Sequence, residues 1–231
     1  MNRTVNTING SLRPAIPSGF EILKDNQVIK FCQSLALMAS FLLCDMAWSA
    51  KQYTTLSEPV SEAPDVTAFF SFYCPPCYLF SEQYNVVAGI NRLRPADALV
   101  TRYHISSMGK FGRELSDAWA VATVMGVADR VEKLMFIAVQ QQKAINSSED
   151  IYTVFLEAGI SREAYDAARQ SMMVRAFIAR QDVMADALMV RGTPSVYVRG
   201  RYLIDNSKIR AETPEAYVSE YSELVVELLK K

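Results

Sequence analysis

Hydrophobic positions fall along the chain in two rhythms, and the switch between them marks its organisation. Val66 to Tyr73 (VTAFFSFY) is a β-branched and aromatic run bounded by Pro64 and by Cys74-Pro75-Pro76-Cys77, the pattern of a buried central strand. From Cys77 to Leu93, Phe80, Tyr84 and Val87 recur at helical spacing. Pro75 and Pro76 suit the first turn of that helix, where backbone N–H groups lack helical partners anyway. Ala98 to His104 (ALVTRYH) predicts a second strand, and residues 51–64 read as extended, punctuated by Pro59 and Pro64.

Ser106 to Met184 changes character: it holds no proline and long Ala/Met/Val-rich stripes of helical period. Segments near 113–125, 128–142, 149–158 and 161–185 each predict a helix, with Gly126 and Gly159 as stops. Met125, Met135, Phe136, Met172, Met173, Phe177 and Trp119 are read as packing residues of this block. Strand signals return at Ser195 to Arg199 and Tyr202 to Ile204, with Gly200-Arg201 as the hairpin turn. Thr213-Pro214-Glu215 opens a last helix, capped by Thr213 and running to about Leu229. The order is therefore strand, CxxC helix, strand, helical block, hairpin, helix. Without residues 106–184 a small α/β sheet unit remains, assembled from 50–105 and 185–231.

The N-terminal region bears on the compartment. Phe31 to Cys44 is an uncharged, mostly apolar run of 14 residues that follows Lys24 and Lys30 and stops at Asp45. Ala47-Trp48-Ser49 then places small residues at the −3 and −1 positions of a cleavage site. Residues 1–49 are expected to be a leader and signal peptide, cleaved after Ser49. The run is short of the roughly 18–20 residues a membrane span needs, and Leu43 is bulky where a lipid-attachment signal before Cys44 wants a small residue. The 23 residues ahead of Lys24 make an unusually long leader.

With the leader removed, Cys74 and Cys77 are the cysteines that remain. A bridge across so short a loop adds little as a staple, which favours reactivity over scaffolding. A cysteine at a helix N-terminus has a stabilised thiolate, and a second one turn later can attack it or close onto it. Zinc would need further ligands, and His104 is the chain's one histidine, so no metal site is expected. The net charge of −1, with no basic tract, argues against a nucleic-acid partner. Thr193-Pro194 stands directly before a strand, where a proline is tolerated and can face the CxxC.

Several stretches together resemble the DsbA family of periplasmic disulfide oxidases: KQYTTL (51–56), FFSFYCPPCY (69–78), Tyr103-His104, DAWAVA (117–122), AGISREAYDAA (158–168) and RGTPSVYVRGRY (191–202). The resemblance covers nearly the whole chain after residue 50. It implies an α/β thioredoxin fold with an inserted all-helical domain. It implies Cys74 as the exposed nucleophile, Cys77 as its buried partner, and a cis bond between Thr193 and Pro194 beside them. It implies no cofactor beyond the redox-active Cys74–Cys77 disulfide. Clients would be exported proteins with cysteine thiols, and reoxidation would fall to a quinone-linked inner-membrane partner of the DsbB type. A monomer in the periplasm is expected.

Three positions depart from the family pattern. The usual Pro-His dipeptide is here Pro75-Pro76, so a histidine side chain and a backbone N–H are both lost as thiolate stabilisers. Ala68 stands where many relatives carry a buried glutamate, and Arg102 where a lysine is common; arginine keeps the charge but does not give up its proton. A less stabilised thiolate makes a weaker oxidant. The expected potential is roughly −150 to −200 mV, between about −120 mV for DsbA and about −270 mV for thioredoxin. A disulfide reductase or isomerase of the same fold, and a redox-silent chaperone-like binding module, remain the alternatives. Fewer than 25 residues lie between the expected cleavage site and Cys74, too few for the dimerisation domain that isomerases of this fold generally carry.

Overall fold

The computed structural model describes residues 51–231; the expected leader, its cleavage site, Cys32 and Cys44 lie outside the described residues. Five strands form one mixed sheet: β1 (Tyr53–Thr55), β2 (Val66–Phe70), β3 (Val100–His104), β4 (Ser195–Val198) and β5 (Tyr202–Ile204), in the order β1-β5-β4-β2-β3. β2 pairs in parallel with β3 and antiparallel with β4, so it is flanked on both edges. That explains its nearly unbroken apolar sequence, because both of its faces are covered.

The two faces are packed differently. Val66 and Ala68 point to the side covered by α2 (Val86–Leu93) and the C-terminal helix α8 (Pro214–Leu229), with Ile90, Tyr221, Val225 and Leu228 in the same core. Phe69, Tyr103 and Tyr197 face the other side. There they meet Met184, near the end of α7 (Met172–Ala187), and Leu188 just beyond it. Between β3 and β4 lie α3 (Gly112–Val124), α4 (Ala128–Phe136), α5 (Ser148–Glu157), α6 (Arg162–Gln170) and α7. A π-helical turn, Ile137–Gln141, extends α4. Phe70, Phe72, Cys74 and Cys77 belong to the same apolar cluster as Leu115, Trp119 and Phe136 of this helical block. The CxxC segment therefore sits at the seam between sheet and helices.

Several expectations shift in detail. β2 stops at Phe70 rather than Tyr73, because the Phe72 N–H turns aside to His104 and the Cys74 N–H to the Ser71 carbonyl. The helix expected over 77–93 is broken. α1 (Pro75–Tyr78) runs into a π-helical turn (Leu79–Gln83), then Asn85 adopts a left-handed conformation (φ 56°) and α2 starts afresh. The long helix expected over 161–185 is two helices. Ser171 is extended, ends α6, and caps α7 by accepting from the Val174 N–H. This restart resets the phase of the apolar stripe: Val174 is buried while Met172 and Met173 are 77% and 68% exposed, against the expectation that they pack in the core. Met135, Phe136 and Trp119 are buried, and Met125 and Phe177 pack at the margin.

The β4–β5 turn is centred one residue earlier than expected. Arg199 (φ 53°) and Gly200 (φ 58°) are its left-handed residues, and the Arg201 N–H closes it on the Val198 carbonyl. A Cβ at Gly200 would lie 2.2 Å from the Val60 carbonyl oxygen. Gly200→Ala should therefore destabilise the protein by more than about 1 kcal/mol, from the unfavourable φ and the backbone clash together. Denaturant unfolding checks this; an unchanged midpoint would mean the 58–63 segment yields without cost.

Candidate active site

The segment Ser71–Cys77 leaves the central strand and must bury a turn of backbone before the helix begins. Side chains from elsewhere take up its polar groups. The Phe72 N–H donates to His104 Nε2 at 3.0 Å. That contact assigns the proton to Nδ1, which donates to Ser116 Oγ at 2.8 Å. Burial pushes the His104 pKa down to about 3, so the ring stays neutral and keeps this tautomer. Gln140, on the π-helical turn after α4, donates from one nitrogen to the Phe72 carbonyl (2.8 Å) and the Cys74 carbonyl (3.0 Å). Gln181 of α7 accepts from the His104 N–H and donates to the Ser116 carbonyl. Turns of the π type often place a side chain at a functional site, as Gln140 illustrates.

Cys74 is the N-cap of α1, with extended backbone (φ −93°, ψ 109°). Its Sγ accepts from the Cys77 N–H at 3.3 Å and, as a thiol, donates to the Thr193 carbonyl at 3.3 Å. Pro75 and Pro76 fill the next two positions and supply no N–H, so a single backbone donor of the first turn reaches the sulfur. Both cysteines are free thiols. Cys74 is 4% exposed, less open than the exposed nucleophile implied by the family resemblance. The Thr193 segment covers it.

The two thiols have opposite tendencies. The Cys74 pKa falls from 9.0 to about 6, chiefly because the Cys77 thiol donates to its thiolate, helped by the Thr193 side chain and the Cys77 N–H against the cost of burial. The Thr193 hydroxyl is buried and makes no hydrogen bond in the dithiol form, which leaves it available as a donor to the thiolate. Burial pushes the Cys77 thiol strongly up, and the neighbouring Cys74 adds to the rise. One sulfur is thus ready as a thiolate while the other stays protonated.

The Thr193–Pro194 peptide is cis. Its surroundings hold it in shape: Ser195 Oγ donates to the Gly192 carbonyl at 2.6 Å, and Asn206 Nδ2 donates to the Pro194 carbonyl at 2.8 Å. Asn206 is itself oriented by the Tyr221 hydroxyl. Beside it opens a cleft of about 460 Å³ whose mixed polar and apolar lining includes Thr54, Thr193, Ser195, Leu203 and Asn206. Ala68 and Arg102 share a small cavity with Cys77. The structure therefore brings together Cys74, Pro75, Pro76, Cys77, Thr193 and Pro194. Sequence reasoning missed Gln140, Asn206, Glu132 and the structural role of His104. As the chain's single histidine, at the end of a predicted strand, His104 carried a signal; the other three are unremarkable in sequence.

Residues 65–211 match the DSBA-like thioredoxin domain family. The thiol:disulfide interchange protein DsbA of Dickeya dadantii is 42% identical over 181 residues, 78% of this chain and 87% of that protein. Among solved structures, DsbA of Proteus mirabilis superposes with a TM-score of 0.77 at 41% identity, covering 79% of this chain and 96% of its own. SrgA of Salmonella enterica serovar Typhimurium does so with a TM-score of 0.73 at 43% identity, covering 77% and 98%.

A depressed pKa in the folded protein stabilises the reduced form fully above the free-thiol value, and that contribution is lost as pH falls through the folded pKa. For Cys74 the window runs from about pH 9 down to about pH 6; the raised Cys77 acts only above it. Alkylation of the reduced protein should accordingly reach half its maximal rate near pH 6, with Cys74 labelled and Cys77 spared. A half-maximum at the pH of an ordinary thiol would contradict the stabilised thiolate.

Proposed function

This chain belongs to the DSBA-like thioredoxin-domain family and is a thiol:disulfide oxidoreductase; from that membership we propose that it works in the oxidising direction, passing its Cys74–Cys77 disulfide to exported proteins. The observation that carries this reading is the asymmetry of the two sulfurs. A Cys74 thiolate stabilised to a pKa of about 6 favours the dithiol over the disulfide, and a disulfide whose reduced form is stabilised is an oxidant.

In this reading the steps are those of thiol–disulfide exchange. A client thiolate attacks Cys74 Sγ, the Cys74–Cys77 bond breaks, and Cys77 leaves with the electron pair and takes up a proton. The client's second thiolate then attacks its own sulfur in the mixed disulfide, and Cys74 departs as the stabilised thiolate. The client loses two electrons and the enzyme gains them. Pro75 and Pro76 shape the turn that sets the sulfurs one helical turn apart. Thr193 and Pro194 hold an extended client segment against Cys74. A relative, DsbA of Proteus mirabilis, binds the peptide PWATCDS non-covalently, which supports peptide binding by this chain. A DsbB-type quinone oxidoreductase of the inner membrane restores the disulfide. Residues 1–49 export the chain to the periplasm, where it acts as a monomer.

Equilibration of the purified protein in glutathione buffers tests the direction. The expected potential is roughly −150 to −200 mV, less oxidising than the family's DsbA example because Pro76 offers no N–H to the thiolate. Cys74→Ser should abolish oxidation of a reduced client. A potential near or below about −270 mV would make the protein a reductase that needs an electron donor.

A further inference from the structure

Arg102 and Glu132 form a buried ion pair at the base of the active site. Arg102 lies on β3 directly beside Ala68 of β2. Its guanidinium stacks over the rings of Phe70 (4.7 Å) and Trp119 (5.2 Å) and donates to Ser81 Oγ at 2.9 Å. Its two terminal nitrogens grip the two carboxylate oxygens of Glu132. The side chains are only 14% and 7% exposed. Arg102 also shares with Cys77, Ala68, Ser81 and Pro194 the wall of a cavity of about 10 Å³, the size of a single water site.

A buried pair of this kind seldom contributes net stability, since apolar residues of equal volume do as well or better. Its position is more informative than its strength. Arg102 is anchored in the sheet below the sulfurs, whereas Glu132 comes from α4 of the helical block. The charge at the sulfurs is thus completed only when the helical block is docked. The other charges near the pair are Glu82 on the π-helical turn and Lys133, which faces Glu82. They oppose one another.

We propose that Glu132 is a positioning residue that sets the oxidising strength of the Cys74–Cys77 couple by cancelling most of the Arg102 charge at the sulfurs. Alone, a buried cation beneath the thiols favours the thiolate and hence the dithiol. The carboxylate removes most of that bias at low local dielectric. The insertion therefore restrains the couple electrostatically, through a side chain that touches neither sulfur nor client.

The inference rests on the Cys74–Cys77 pair being the working couple, and the test separates the two. The equilibrium constant with glutathione is measured for the wild-type protein, E132Q, R102Q and the neutral double variant R102M/E132L. E132Q keeps an acceptor for Arg102 and removes the negative charge. It should move the equilibrium about tenfold towards the dithiol, or about 30 mV towards stronger oxidation. R102Q should move it towards the disulfide, and the double variant should stay within about threefold of wild type. Loosened packing does not produce opposite shifts from the two partners, so if one single variant fails to fold, the sign of the other still decides. Shifts in the same direction, or none, would overturn the proposal. A wild-type constant as reducing as thioredoxin's would overturn the oxidase reading while leaving the ratios between variants intact.

Discussion

The central constraint on this molecule is that the chain must turn, inside an apolar core, between the end of β2 and the first turn of α1. Backbone N–H and C=O groups cannot be left unpaired there; each orphan would cost about 1–3 kcal/mol. The strand ladder has ended and the helix has not begun, so the partners have to be side chains. His104 takes the Phe72 N–H, and Gln140 takes the Phe72 and Cys74 carbonyls. Both are held by the helical block, His104 through Ser116 and Gln181 and Gln140 by its own position. The block is therefore part of the hydrogen bonding of the segment that carries the CxxC. This explains why Cys74 and Cys77 share an apolar cluster with Trp119 and Phe136.

The reactivity of the two cysteines follows from the same placement. Once the turn is pinned, Cys74 must cap the helix and its sulfur lies within reach of the Cys77 N–H and the Thr193 segment. Cys77, one turn on, is forced into the interior, where burial keeps it protonated. The opposite tendencies of the two thiols thus need no general base. Burial supplies one half and local donors the other. Pro76 tempers the effect of the local donors by withholding an N–H, and Ala68 lines the small cavity beside Cys77.

How much of this was legible in the sequence depends on the range over which each feature is decided. The strand before the CxxC, the helix after it, the helical block, the hairpin and the C-terminal helix are local patterns of period and punctuation. Cys74, Cys77, Thr193 and Pro194 stood out because they lie in short motifs, and the structure places them side by side. Boundaries were less so. Ser171 cuts one apparent helix into two, and no proline or glycine marks it. Asn85 interrupts another by a left-handed turn. Met172 and Met173 reached the surface because the phase of a helix depends on where it restarts.

By itself the sequence determined most of the strands and helices and the place of the CxxC between a strand and a helix, because each follows from residues close together in the chain. Tertiary structure alone decided which side chains complete the site. Gln140, Glu132 and Asn206 stand 66, 30 and 12 residues from the groups they bond, and nothing in their local sequence sets them apart from ordinary surface polar residues. Their roles arise when packing buries backbone and charge that must then find a partner. Which partner is nearest is a property of the folded chain.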